Sequence, residues 1–378
     1  MKWRVPLTTL TIGEEEERAA VRALRSGWIT AGAEVEAFER EFAEAIGVRH
    51  AVAVANATGA LALAYDAVGA LDGQEILMPA LTFVASMNVA LRRGEKPILV
   101  DVRSEDDLTM CPADLESKIT PKSALIVTMP HAGFPPDMPA IMDVAARHRL
   151  PVVEDACHGI LAKCGEKFLG SFGAAGVFSF YGNKNMTTGE GGMLVSNDRP
   201  LVERARLMRN HGMTRSTTQH YSGDYQEYDV VVAGHNFRMD DIRGAIGREQ
   251  LKKLPAGNAA RRAFATKVRA LAAERCPEVK FPYSGQQFEQ SSHHLLPALL
   301  PVGADRPRFM AAMTEMGVQT SLHYKPLHRF MHTTGMWPEK PRLPVTESIE
   351  HRLVSLPMGP GFTDEQAEIV VDCMAKAL

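Results

Sequence analysis

Short apolar runs alternate along the chain with segments whose apolar residues recur every three or four positions. The runs predict strands at residues 50–55 (HAVAVA), 75–79 (EILMP), 96–102 (KPILVDV), 124–129 (ALIVTM), 150–155 (LPVVED), 176–181 (GVFSFY) and 192–197 (GMLVSN). Helical spacing opens the chain in EEEERAAVRALRSG and EVEAFEREFAEAIG and fills most of the gaps between strands. Several runs are apolar on both faces, as strands of a mainly parallel sheet are when helices cover both sides. The pattern predicts an α/β fold, with a large domain over residues 1–245. Its sheet would be mainly parallel and seven-stranded. From residue 246 the texture changes to a long charged helix (IGREQLKKLPAGNAARRAFATKVRALAAERC). A strand-like HHLLPALLPV, a helix RPRFMAAMTEMG, a strand VQTSLHY and a closing helix TDEQAEIVVDCMAKAL follow. Residues 246–378 are read as a smaller C-terminal α+β domain.

Composition narrows the function. With 378 residues, 45% hydrophobic and 23% charged, the chain has ordinary globular composition. A formal charge of −3 lacks the basic footprint that binding a polyanion needs, so nucleic acid is set aside as a partner. No apolar run approaches the roughly 20 residues that span a bilayer. The N-terminus turns acidic where a signal peptide would be apolar. The expectation is a cytoplasmic protein with no membrane partner. Cys111, Cys157, Cys164, Cys276 and Cys373 are scattered and odd in number, which points to reduced thiols. Cys157, His158 and Cys164 lack a second Cys/His pair at finger-like spacing, so no metal site is expected.

In an open parallel sheet, ligands sit beyond the carboxyl ends of the strands, and polar residues that follow apolar runs deserve inspection. After the first run, Asn56, Ala57, Thr58 and Gly59 lead into a helical pattern. Such a turn offers amides and a helix dipole to a phosphate, and it also reads as an ordinary N-cap. The run 150–155 ends in Glu154 and Asp155, so one carboxylate can emerge at the sheet edge while its neighbour points elsewhere; a cap or solvated turn is the plain alternative. Lys184 follows the run 176–181 by three residues, among Ser179, Tyr181, Asn183, Thr187 and Thr188 and ahead of GEGGM. It could equally be a solvated surface lysine. Taken together, a phosphate-binding turn, a strand-end aspartate and a poised lysine are what pyridoxal 5′-phosphate requires. Its aldehyde forms a Schiff base with lysine, its ring nitrogen needs a carboxylate, and its phosphate needs amide and hydroxyl donors. Phe83, in PALTFVAS, would either cover the ring or pack as core.

These segments resemble the DegT/DnrJ/EryC1/StrS sugar aminotransferases over nearly the whole chain. The lysine segment GSFGAAGVFSFYGNKNMTTGEGGMLVSND and GHNFRMDDIRGAIGREQL carry the resemblance most specifically; GWITAGAEVEAFEREFAEAIGVRHAVAVANATGALALAY and VVEDACHGILA support it. The resemblance implies the fold-type I architecture of pyridoxal-phosphate transferases and the PLP/PMP cofactor. By motif, Lys184 would be the Schiff-base lysine, Asp155 the partner of the pyridine nitrogen and Phe83 the stacking ring. Ala57, Thr58 and Ser179 would hold the phosphate, with Asn236 of GHNFRM reaching it from the other subunit of a homodimer. His158 stands where many members have Gln, and would bond the phenolic oxygen. Trp28, Ile29 and Thr30 resemble the segment lining the sugar side, and His323, Tyr324 and His328 are further substrate candidates. The run MPHAGFPPDM departs from the family, leaving roles for residues 130–134 open. The implied reaction moves an amino group from an amino acid, glutamate in the first place, to a nucleotide-linked keto-deoxyhexose. A cyclitol ketone is the alternative acceptor. A PMP-dependent sugar dehydratase and a non-catalytic PLP-binding regulator are the rivals. Lys184 opposes the dehydratase known to us, which carries histidine there, and no basic helix-turn-helix precedes residue 13 as a regulator would normally have.

Overall fold

Seven strands form where the apolar runs predict them, within a residue or two at most ends. In the computed structural model, which describes residues 3–70, 73–214 and 227–378, they are β1 (His50–Val54), β2 (Glu75–Pro79), β3 (Lys96–Val100), β4 (Ser123–Thr128), β5 (Val152–Asp155), β6 (Ala175–Ser179) and β7 (Gly192–Ser196). They lie in the order β1-β7-β6-β5-β4-β2-β3. Only β7 runs against its neighbours, antiparallel to both β1 and β6; the rest are parallel. The mainly parallel seven-stranded α/β sheet is therefore present.

Strand parity sorts the two faces. Val153 and Val177 join the core under helix α3 (Ala57–Val68). Their neighbours Val152 and Phe178 face the other side. There Phe38 and Phe42, from α2 (Ala33–Ile46), meet Phe178 and Phe180, with Phe42 and Phe178 edge-on at 5.0 Å. Such aromatic contacts add about 0.5–1.5 kcal/mol to burial alone. Helix α2 follows α1 (Glu14–Arg25) and is tied at its start by Asp241, whose carboxylate accepts from the amides of Gly32, Glu34 and Val35.

Asp241 is also the first residue of a 35-residue helix, Asp241–Arg275, which runs unbroken through residues 245 and 246 and holds Pro255 within it. Its first part buries Leu254 beside Phe38 and Phe42. Its last part, through Phe264, Ala265 and Val268, packs into the C-terminal core. That core holds the antiparallel pair β8 (Leu296–Leu299) and β9 (Leu353–Leu356) and the helices Arg306–Glu315 and Asp364–Ala377. It also takes in Val5, whose backbone bridges Val318, so the chain's opening residues pack with its closing ones.

One sequence expectation fails here. VQTSLHY forms no strand: Val318 and Ser321 make single bridges to Val5 and Ser355. The strand beside β8 is β9 instead, from HRLVSLPM. Pro326, which has no amide to give a ladder, follows close behind, and His323 and Tyr324 leave the sheet to line a cavity. Among the described residues, no helix is long and apolar enough to cross a membrane.

Candidate active site

One register row explains the site's position. Val54 of β1, Gly192 of β7 and Ser179 of β6 are cross-strand partners, and Asp155 of β5 pairs with Val177 of β6. The ends of β1, β5 and β6 and the start of β7 therefore meet at one edge. A cavity of about 270 Å³ opens there, lined by Asn56, Ala57, Thr58, Phe83, Asp155, Cys157, His158, Ser179, Tyr181, Lys184, His323 and Tyr324 among others.

The turn after β1 is an N-cap, as one of its two readings has it. Asn56 is the N-cap of α3, its Oδ1 accepting from the Gly59 amide at 2.9 Å. The cap takes Gly59 and leaves the Ala57 and Thr58 amides at the helix's positive end, facing the cavity edge. Glycine at the start of β7 makes the room: a Cβ on Gly192 would stand 2.6 Å from the Ala57 nitrogen.

Parity also separates the acidic pair. Asp155 shares the α3 side with Val153. It is 4% exposed, and Ser86 Oγ donates to its Oδ2 at 3.1 Å. Glu154 faces away and accepts from the amides of Gly170, Phe172 and Gly173 at 2.6–2.9 Å, a structural role; burial still pushes its carboxyl up.

Lys184 sits in the turn after β6, its amide donating to Tyr181 O. Desolvation lowers its ammonium below the ordinary lysine value, opposed by Cys157 and Asp155. The Cys157 thiol is pushed well up, chiefly by burial, and so is no thiolate rival. Thr187 and Thr188, which the sequence offers as site hydroxyls, donate instead to Phe180 O and Glu190 O and shape the loop.

His158 Nε2 meets the Tyr324 hydroxyl at 2.8 Å, while its buried Nδ1 has no hydrogen-bond partner among the described residues. Burial, then Lys184, holds this imidazole far below its ordinary value, so it stays neutral. The Tyr324 hydroxyl can donate to Nε2 or accept from it, and in either case Nδ1 is the ring nitrogen left for another group. Phe83 is 53% exposed at the mouth, its ring centroid 5.8 Å from that of Tyr324; it is not core.

The other sequence candidates separate. His323 and Tyr324 line the cavity, with His323 Nδ1 on Ser355 Oγ at 2.9 Å. His328 does not line it, and lies 3.4 Å from Glu347. Trp28, Ile29 and Thr30 stand outside the cavity lining: Trp28 Nε1 donates to Ala31 O and Ile29 O accepts from the Asp241 amide. Asn236 is exposed and also outside its own chain's cavity, its backbone bridged to Asn210. The open run 130–134 contributes His131, which is buried between Tyr283 Oη and His323 O, each at 2.8 Å. Sequence reasoning missed His294, whose Nε2 lies 3.5 Å from Lys184 Nζ. Its only sequence signal is a doubled histidine ahead of an apolar run.

The arrangement fits pyridoxal phosphate on structural grounds. A buried carboxylate keeps acceptor capacity, an imidazole nitrogen is left without a partner among the described residues, two helix-start amides stand beside a close-packed glycine, and a lysine held below its ordinary value by desolvation shares their cavity. Among the described residues, no group of three His, Cys, Asp or Glu is placed to hold a metal ion.

The family model of the DegT/DnrJ/EryC1/StrS aminotransferase family matches residues 10–375. The chain is 32% identical over 375 residues to the spore coat polysaccharide biosynthesis protein SpsC of Bacillus subtilis (strain 168), with 98% of this chain and 96% of that one covered. Among solved structures, PseC of Helicobacter pylori, an aminotransferase involved in the biosynthesis of pseudoaminic acid, superposes with a TM-score of 0.91 at 26% identity, covering 100% of this chain and 99% of that one. DesI, solved in the presence of its TDP-sugar product, gives 0.88 at 27% identity, with 99% and 92% covered.

Proposed function

Because the chain belongs to the DegT/DnrJ/EryC1/StrS aminotransferase family and is a pyridoxal-phosphate-dependent aminotransferase of fold-type I, we propose that it transfers an amino group from L-glutamate to a nucleotide-linked keto-deoxyhexose. The observation that carries this is the meeting of Lys184, Asp155 and the start of α3 in one cavity. The pseudoaminic acid role of PseC and the TDP-sugar product of DesI support a nucleotide-linked sugar as acceptor.

Pyridoxal phosphate, when bound, supplies an aldehyde that captures amines and a protonated ring that withdraws electrons. Asp155 would hold the proton at the ring nitrogen, with Ser86 keeping the carboxylate oriented. The Ala57 and Thr58 amides and the Ser179 hydroxyl bind the phosphate. Phe83 would cover one ring face, and His158 would hydrogen-bond the phenolic oxygen through its unpartnered Nδ1. Lys184 would hold the aldehyde at rest, and its amine, when free, would be the base that moves the proton at the donor's Cα. A free lysine is neutral in only about one molecule per thousand at pH 7, and desolvation raises that fraction here. For the keto sugar the same residues would act in the opposite sense, with His323 and Tyr324 lining its approach. Asn236 would reach the phosphate from a second copy of the chain.

The purified protein should show the absorbance of a lysine-bound cofactor. Lys184→Ala should lose it, with turnover falling roughly 10²–10⁴-fold or more; a variant that keeps band and turnover sinks the assignment. A panel of nucleotide-linked keto sugars and cyclitol ketones, with glutamate or glutamine as donor, then decides the acceptor.

A further inference from the structure

One buried imidazole beside Lys184 has no part in the steps above, and its hydrogen bonds fix its tautomer. Asn258 Nδ2 donates to Ile160 O at 3.0 Å, a backbone carbonyl that can only accept. Asn258 Oδ1 is thereby left to accept from Asn185 Nδ2 at 2.8 Å, and that same nitrogen donates to Ser292 O at 2.7 Å. With both amides oriented, the atom of Asn185 that meets His294 Nδ1 at 3.0 Å is its oxygen. An amide oxygen accepts, so Nδ1 carries the imidazole proton and Nε2 presents a lone pair. That lone pair lies 3.5 Å from Lys184 Nζ, at the outer edge of a hydrogen bond.

We infer that His294 positions the amine of Lys184, accepting a hydrogen bond through Nε2 whenever that amine is not covalently engaged, with Asn185 and Asn258 locking the imidazole in the tautomer that can do so. This rests on Lys184 being the reacting amine. A displaced lysine on a flexible stem would otherwise sample many rotamers, whereas a neutral acceptor beside it keeps the amine near the reacting atoms. His294 is suited to the task because burial, then Lys184, Arg261, His323 and His131, hold it far below its ordinary value. It stays neutral and remains an acceptor. Lys184 in turn is faced by Asp155 and Cys157 and by the imidazoles of His158 and His323. Arg261, on the long helix, approaches from behind and donates to His294 O at 3.5 Å. His294 is a positioning residue, since it acts on substrate through Lys184.

The test uses cofactor-free protein and reads the Lys184 amine itself, by competitive reductive methylation across pH with mass detection of its peptide. In His294→Leu the ammonium loses its acceptor, so the apparent pKa of Lys184 should fall by roughly one unit, a tenfold change in neutral fraction. His294→Gln restores a neutral acceptor oxygen and should return the value toward the parent's. Asn185→Leu keeps the imidazole but removes the partner of Nδ1, and should shift Lys184 in the direction of the Leu variant. It decides the matter if His294→Leu fails to fold. An unshifted amine in whichever of these two variants folds, or a Gln variant matching Leu, overturns the proposal. The lysine-bound cofactor band of the parent protein keeps the two readings apart. Its absence would remove Lys184 as the reacting amine, whereas its presence with an unshifted amine removes only His294.

Discussion

Glu154 and Asp155 are chain neighbours with opposite fates, and the two-residue period of a strand is the reason. One is spent on three backbone amides behind the sheet; the other waits at the cavity with Ser86. The histidines around that cavity show a second residue-scale rule. Burial pulls His131 and His323 down to about 4, because desolvation penalises the charged ring. Between pH 6.5 and about 4 the unfolded chain therefore binds more protons than the folded one, and stability must fall as pH falls through that window. Below about 4 both states are protonated and this loss is complete. His131→Gln removes one such group. Its unfolding free energy should depend less steeply on pH than the parent's, by up to about 1.4 kcal/mol per pH unit below pH 6.5. Parallel slopes in denaturant melts would show that His131 titrates normally in the fold.

At the scale of elements, the apolar runs located all seven strands because each is buried on both faces and needs no partner's context to be read. The C-terminal pair was harder. β9, in HRLVSLPM, was not picked out, whereas VQTSLHY has the composition of a strand but is followed by Pro326, and its His323 and Tyr324 line the cavity. The start of α3 had two readings, cap and phosphate turn; the structure shows the cap, Asn56 taking Gly59, and the cap leaves the Ala57 and Thr58 amides for another group. The close approach of β7 to that turn is a property of two elements together. Gly192→Ala places a methyl 2.6 Å from the Ala57 nitrogen, and overpacking of this kind costs about 1–3 kcal/mol. If the Ala57 and Thr58 amides hold the phosphate, as proposed, the methyl intrudes on them and cofactor affinity should fall by roughly tenfold or more, as 1.4 kcal/mol corresponds to tenfold. Equilibrium titration of cofactor-free protein measures this. An unchanged affinity would place the phosphate elsewhere.

For the whole molecule, legibility followed distance along the chain. Lys184 and Asp155 could be read from their own strand ends, but His294 meets Lys184 across 110 residues, and no local pattern reports such a contact. Asn236 poses the same question between chains. It is exposed and outside its own cavity. The proposal that Asn236 reaches the phosphate of a second copy requires a symmetric dimer in which each copy's Asn236 stands at the other's cavity. Complementation tests this directly. Lys184→Ala and Asn236→Ala homodimers should each be nearly inactive. If Asn236 serves the opposite site, each mixed dimer holds one doubly damaged site and one intact site, so an equal random mixture should recover about a quarter of parental activity. If Asn236 instead serves its own chain's site, every site in the mixed dimer carries one lesion, and co-refolded or co-expressed subunits will recover nothing.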